Sequence, residues 1–174
     1  MNLQELRNEI GDFAKDVRLN LGSVLREDGE LDMAQISGIA LACAYTTCHE
    51  PLQNTIRQEF EQYLSDEMIT AAKAASSLMA MNNVYYRAMH FLDDDEMMQM
   101  PAKLRMNFIA KPGIEKNDFE LYCLAVSAIN GCELCVQTHS QKLQQEGLTK
   151  QAVQHSIRIA AVMQSAAQAL SIQS

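Results

Sequence analysis

A chain of 174 residues, 48% apolar and 21% charged, has the makings of one sizeable core and is expected to form a single domain over residues 1–174. Its net charge of −8 offers no basic groove for a phosphate backbone, so nucleic acid is not an expected partner. With only 7 Gly and 3 Pro, and many Ala, Leu, Met and Gln, the composition favours helices over strands. No stretch is apolar and long enough to span a bilayer, so no membrane association is expected. The opening Met1-Asn2-Leu3-Gln4-Glu5-Leu6-Arg7 lacks the basic start and apolar core of a signal peptide. A cytoplasmic protein is therefore expected, with its five cysteines reduced at rest and any oxidised pair transient. The odd count argues against a purely structural disulfide framework.

Leu3, Leu6, Ile10, Phe13, Ala14 and Val17 recur at spacings of three and four, which predicts one apolar helix face. Gly22-Ser23 and Asp28-Gly29 read as turns. A second helix is predicted from Met33 to Thr47, and Pro51 suits the first turn of a third. Ser65 is an N-cap candidate, followed by first-turn acids Asp66 and Glu67. Asn82-Asn83-Val84-Tyr85-Tyr86-Arg87 reads as a capped helix start, or as a run that lines a pocket. The acidic run 92–96 reads as a solvated loop or helix start, and Lys111-Pro112-Gly113 as a turn. Asp118 should begin a helix reaching Ile129, with Asn130-Gly131 interrupting it and a new helix starting at Cys132. Gly147 should end that helix and Thr149 cap the last one. Cys43 to His49 faintly echoes the later cysteine stretch and could reflect an ancient duplication.

The informative stretch is Gly131-Cys132-Glu133-Leu134-Cys135-Val136-Gln137-Thr138-His139. At about 100° per helical residue, Cys135 lies about 300° and His139 about 340° around from Cys132, so all three share one stripe. Cys132 would sit near a helix N-terminus, where free N–H groups and the dipole favour thiolate. Positions i and i+3 put Cβ atoms roughly 5–6 Å apart in a regular helix, whereas a disulfide wants about 3.8 Å. Closure therefore needs a distorted first turn. Three readings stand: a redox pair, a metal site using Cys132, Cys135 and His139 but lacking a fourth ligand, or buried thiols with no chemistry. Cys43, Cys48 and Cys123 are expected in the core, and the 11 Met are expected to fill core or an oligomer interface. Glu120 falls about 120° off the stripe on a continuous helix, so by spacing it is a first-turn acid unless the chain reverses at Asn130-Gly131.

Several segments together resemble the alkyl hydroperoxide reductase D (AhpD) family, within the carboxymuconolactone decarboxylase-like superfamily. They are the segment Met79 to Arg87, Leu104-Arg105-Met106-Asn107, Lys111-Pro112-Gly113-Ile114, Asp118-Phe119-Glu120-Leu121, and the run from Ala125 to Cys132. The resemblance implies an all-α fold of two similar helical halves, assembled as a homo-oligomer, trimer or hexamer. It implies an alkyl hydroperoxide reductase with no bound cofactor, cycling Cys132 and Cys135 between dithiol and disulfide with a proton relay of Glu120 and His139. In the family the second cysteine attacks peroxide and the first resolves it, which assigns attack to Cys135. The implied reductant is a dihydrolipoamide-type dithiol on a lipoyl-bearing acyltransferase, with a peroxiredoxin as a further partner. One departure is Leu134, where the family carries a second histidine between the cysteines. Alternatives of other classes are an electron-transfer adaptor with little direct peroxidase activity, and a non-redox decarboxylase-type member of the superfamily.

Overall fold

The computed structural model describes residues 1–172. The chain runs α1 (Leu3–Glu9), one 3-10 turn (Asp12–Ala14), α2 (Lys15–Val24), α3 (Met33–Thr47) and α4 (Glu50–Glu59). A second 3-10 turn (Glu61–Tyr63) leads to α5 (Asp66–Leu92), the short α6 (Asp95–Gln99) and α7 (Asn107–Ala110). It closes with α8 (Lys116–Ile129), α9 (Glu133–Gln145) and α10 (Lys150–Ser171). No strand occurs among the described residues, as the composition and patterning predict.

The helix starts are set locally. Asp32 accepts the Gln35 N–H at 2.8 Å while the Gln35 side chain takes the Asp32 N–H, a reciprocal cap on α3. Ser65 and Thr149 cap α5 and α10 through their hydroxyls, as predicted. Residues 36–44 of α3 and 119–127 of α8 are buried in unbroken succession. A helix buried on every face belongs inside a bundle, and α3 and α8 pack on each other with α5 and α10 around them. They meet at Gly38, where an added Cβ would lie 1.8 Å from the Tyr122 hydroxyl oxygen. The run 119–127 contains one carboxylate, Glu120. That is the first sign that this core is more than a scaffold, because an ionisable group is buried only when something pairs with it.

Five expectations are corrected. The first apolar face is not one helix. The chain breaks at Ile10 and Gly11, and Phe13 points outward while Leu6, Ile10 and Ala14 are buried. Gly22-Ser23 is not a turn but part of α2, where the missing Cβ makes room for the Arg7 guanidinium. Asn82-Asn83 does not start a helix. It lies well inside the 27-residue α5, and both side chains are buried. Cys48 is not core. It sits exposed at the left-handed end of α3 (φ 56°), while Cys43 and Cys123 are buried as predicted. The predicted start at Asp118 moves two residues earlier, to Lys116. Methionines divide between core (Met79, Met163) and surface. Met97, Met98 and Met100 join Phe91 and Leu92 in an exposed apolar stretch at the end of α5 and around α6.

Candidate active site

The site is built on the break between α8 and α9. Gly131 adopts φ 67°, a left-handed conformation natural to glycine. The N–H of Gly131 bonds Ala128 O, and that of Cys132 bonds Ser127 O, both at 3.2 Å, so the last carbonyls of α8 are satisfied as the chain turns. The buried Asn83 of α5 braces this reversal. Its Nδ2 donates to Ser127 Oγ at 3.0 Å, and its Oδ1 accepts from Asn130 Nδ2 at 2.9 Å. Arg87, one turn further along α5, donates to the Asn130 carbonyl, placing a cation at the negative end of α8.

Beyond the turn, Cys132 is the N-cap of α9, with its Sγ 3.4 Å from the Cys135 N–H. The Cα atoms of Cys132 and Cys135 lie 5.3 Å apart and their sulfurs are at disulfide-bonding distance, within the range a disulfide needs. The distortion that spacing alone demanded is the extended backbone of Cys132 (φ −95°, ψ 97°). Cys132 is fully enclosed, whereas Cys135 retains 7% exposure. That residual exposure opens on a cavity of about 300 Å³ that Cys135 shares with His139. Its walls include Met79, Ile109 and Leu134, with Asn82 and Tyr86 contributed by α5. A larger cavity of about 610 Å³ lies elsewhere, beside Asp28, His155 and Arg158, and has no thiol in its lining.

The reversal brings Glu120 back to the cysteine helix. Its Oε2 lies 2.7 Å from His139 Nδ1, and its Oε1 accepts from Lys142 Nζ. Glu120 is 4% exposed. Burial pushes its pKa up, but the hydrogen bonds and charges of His139 and Lys142 outweigh that push and hold the carboxyl below its ordinary value. A carboxylate only accepts, so in this hydrogen bond His139 Nδ1 is the donor. The buried thiols Cys43 and Cys123 are held protonated. Burial raises both, and the nearby Glu120 charge raises Cys123 further.

The structure thus brings Glu120, Cys132, Cys135 and His139 into one neighbourhood. Spacing did not reveal Lys142, although it lies three residues after His139, where an α-helix puts neighbours on one face. It also missed Asn83 and Arg87, whose partners lie more than 40 positions away. No group of three or more His, Cys, Asp or Glu placed to hold a metal occurs among the described residues. No helix among them is long and apolar enough to cross a membrane.

Residues 95–172 match the carboxymuconolactone decarboxylase family. The chain is 51% identical to the alkyl hydroperoxide reductase AhpD of Coxiella burnetii, over 95% of each protein. It is 48% identical to the protein of that name from Maricaulis maris over the full length of both, and 47% identical to that of Rhizorhabdus wittichii over 96% of each. These likenesses run through the helices that carry the cysteines and through those that brace them, and the chain belongs to the AhpD family of alkyl hydroperoxide reductases.

Proposed function

We propose that this protein reduces alkyl hydroperoxides by cycling Cys132 and Cys135 between dithiol and disulfide. The observation that carries the reading is the sharing of one largely apolar cavity by Cys135 and His139, with His139 anchored on Glu120 at 2.7 Å. An apolar pocket suits the alkyl part of the substrate, and a tethered imidazole is the base a thiol needs.

In the proposed cycle His139 Nε2 takes the Cys135 proton. The thiolate attacks the outer peroxide oxygen, the O–O bond breaks, and the departing alkoxide takes the proton back from His139. The products are an alcohol and a sulfenic acid on Cys135. The Cys132 sulfur then attacks the sulfenic sulfur, forming the disulfide and releasing water. A dihydrolipoamide-type dithiol restores both thiols by exchange and becomes a disulfide itself. Glu120 holds the His139 ring and balances its charge when protonated. In this reading the reductant is borne on a lipoyl acyltransferase, and a peroxiredoxin is a further electron acceptor. The exposed stretch of Phe91, Leu92, Met97, Met98 and Met100 supports a homo-oligomer, since soluble chains seldom leave so many adjacent apolar side chains uncovered.

Free-thiol counting tests the cycle. One equivalent of an alkyl hydroperoxide should remove two thiols from the reduced protein, and Cys135→Ser should abolish the loss. Cys132→Ser should leave a sulfenic acid on Cys135, detectable by mass spectrometry with a sulfenic-specific label. Label on Cys132 in an active Cys135→Ser protein would reverse the roles. No thiol loss with peroxide, in a protein that still exchanges with a dithiol, would favour the adaptor reading.

A further inference from the structure

We propose that Lys142 is a positioning residue of the Cys135 site: it holds the second oxygen of Glu120 and so sets the pH range in which His139 can serve the thiol. The inference rests on the peroxidase reading above and deepens it.

Glu120 is buried with two cationic partners and divides its oxygens between them, Oε2 to His139 Nδ1 and Oε1 to Lys142 Nζ. The two partners differ in kind. In the proposed cycle His139 gains and loses a proton at every turnover, whereas an ammonium keeps its charge near neutrality. With His139 alone, the buried carboxylate would lose its counter-charge each time the imidazole gave up its proton. Lys142 keeps Glu120 ionised in both halves of that exchange, so the Nδ1 hydrogen bond persists and the ring stays held at the cavity it shares with Cys135. Lys142 serves from an adjacent cavity. Glu120 and Lys142 line a second cavity of about 410 Å³, with Lys116 and Phe119, while Cys135 and His139 line the first. Ile109 stands between them and lines both. Lys142 is half exposed, so the relay meets water at the Lys142 end while alkyl peroxide fills the other cavity.

The other groups facing the relay do not supply this charge. On α8, Cys123 is a buried neutral thiol and Asp118 turns to Gln35. Lys116 lines the second cavity but makes no ion pair with Glu120. From α5, Arg87 is engaged by the Asn130 carbonyl, and Tyr86 faces the first cavity. Cys43 of α3 is a buried thiol that lines neither cavity, and His155 of α10 lies elsewhere, held by Val24 O and Asp28. At position 134, between the cysteines, stands a leucine, so no titrating ring acts there.

Removing the ammonium leaves more negative charge on the His139 side. The coupled His139–Cys135 pair then gives up its protons at higher pH, so activity sets in at higher pH. An opposite charge in contact typically shifts a pKa by about 1–3 units; Lys142 is half exposed and reaches His139 only through Glu120, so the shift is about one unit or less. Reduced wild-type protein, Lys142→Met and Lys142→Arg are compared by two readouts. One is kcat/KM for an alkyl hydroperoxide against pH. The other is thiolate titration by ultraviolet absorbance, which needs no turnover. Lys142→Met should move both acid-side midpoints up by as much as about one pH unit, and Lys142→Arg should hold them near the wild-type value. An unmoved midpoint in Lys142→Met, with only a lower melting temperature or a uniformly lower rate, overturns the proposal. If wild-type protein turns over no peroxide, the peroxidase reading fails, and the thiolate titration of the same proteins still decides for or against Lys142.

Discussion

Asn83 is where the fold and the site can be separated by a single substitution. Its side chain is fully buried and joins two segments, donating to Ser127 Oγ at 3.0 Å and accepting from Asn130 Nδ2 at 2.9 Å. Asn83→Ala removes both bonds and strands both partners. A buried polar group left unpaired costs about 1–3 kcal/mol. Ser127 is fully enclosed and carries the larger share, whereas Asn130 is part-buried and can turn toward water. The sum is about 2–4 kcal/mol, which for a chain of this size lowers the melting temperature by roughly 4–16 °C. The loss should be local in origin, so amide hydrogen exchange is the sharper assay. The Gly131 and Cys132 N–H groups close the end of α8 on Ala128 and Ser127, and both should exchange faster in Asn83→Ala than amides in α3. A melting point lowered by less than about 2 °C, or unchanged protection at those two amides, would refute the view that Asn83 braces the reversal.

Glu120→Gln keeps the shape of the side chain and loses its charge. Peroxide turnover should fall by about 10²–10⁴-fold with the protein still folded, and full turnover with a lowered melting point would make Glu120 a structural acid. Oxidised Cys132→Ser treated with one equivalent of a small monothiol, which has no second thiol to resolve the bond, should stall as a mixed disulfide on Cys135, visible by intact mass; its absence would mean the reductant enters elsewhere. Asp28 supplies a pH prediction: burial raises its carboxyl, but the Glu30 N–H, His155 and Arg158 outweigh this and hold it below the ordinary value. A depressed folded pKa stabilises above the unfolded value of about 4 and is lost as pH falls through the folded one. Asp28→Asn should therefore flatten the loss of melting temperature below about pH 4, and curves parallel to wild type would contradict the assignment.

What could be read from the sequence divides along the reach of each interaction. Helix caps at Asp32, Ser65 and Thr149 act over three residues, and the left-handed turn at Gly131 is equally local. These are legible because residue type and neighbours decide them. Asn82 and Asn83 mislead for the same reason, since asparagine favours caps when only its neighbours count. Here tertiary partners from α8 pay for its place in mid-helix. Glu120 shows the limit most clearly. Angular spacing puts it off the cysteine stripe, and that is true of a straight helix. Only the reversal at Asn130-Gly131 undoes it, and the resemblance to a known family, not periodicity, pointed there. Lys142 was legible in principle, being on the face of His139, but an exposed lysine in a Gln-rich helix carries no mark of its partner.

The two cysteines pose a conflict that charge alone does not resolve. Cys132 caps α9 and its sulfur faces the Cys135 N–H at 3.4 Å, so the helix dipole favours a thiolate there. Cys135 lacks that advantage but has the access: it keeps 7% exposure and a cavity, where Cys132 has neither. A nucleophile that peroxide cannot reach reacts with nothing, however low its pKa, and for that reason the proposed cycle gives the attack to Cys135. In the proposed cycle the stabilised Cys132 thiolate has its use in the other half-reaction. An incoming dithiol meets the accessible Cys135 sulfur first, and the bond that must break leaves Cys132 as the departing thiolate. A leaving thiol of low pKa departs faster, so the N–H at Cys132 serves the return to the dithiol. In the proposed cycle the helix start therefore favours recycling, the cavity favours attack on peroxide, and the division of labour between two cysteines three residues apart follows from which of them reaches the cavity.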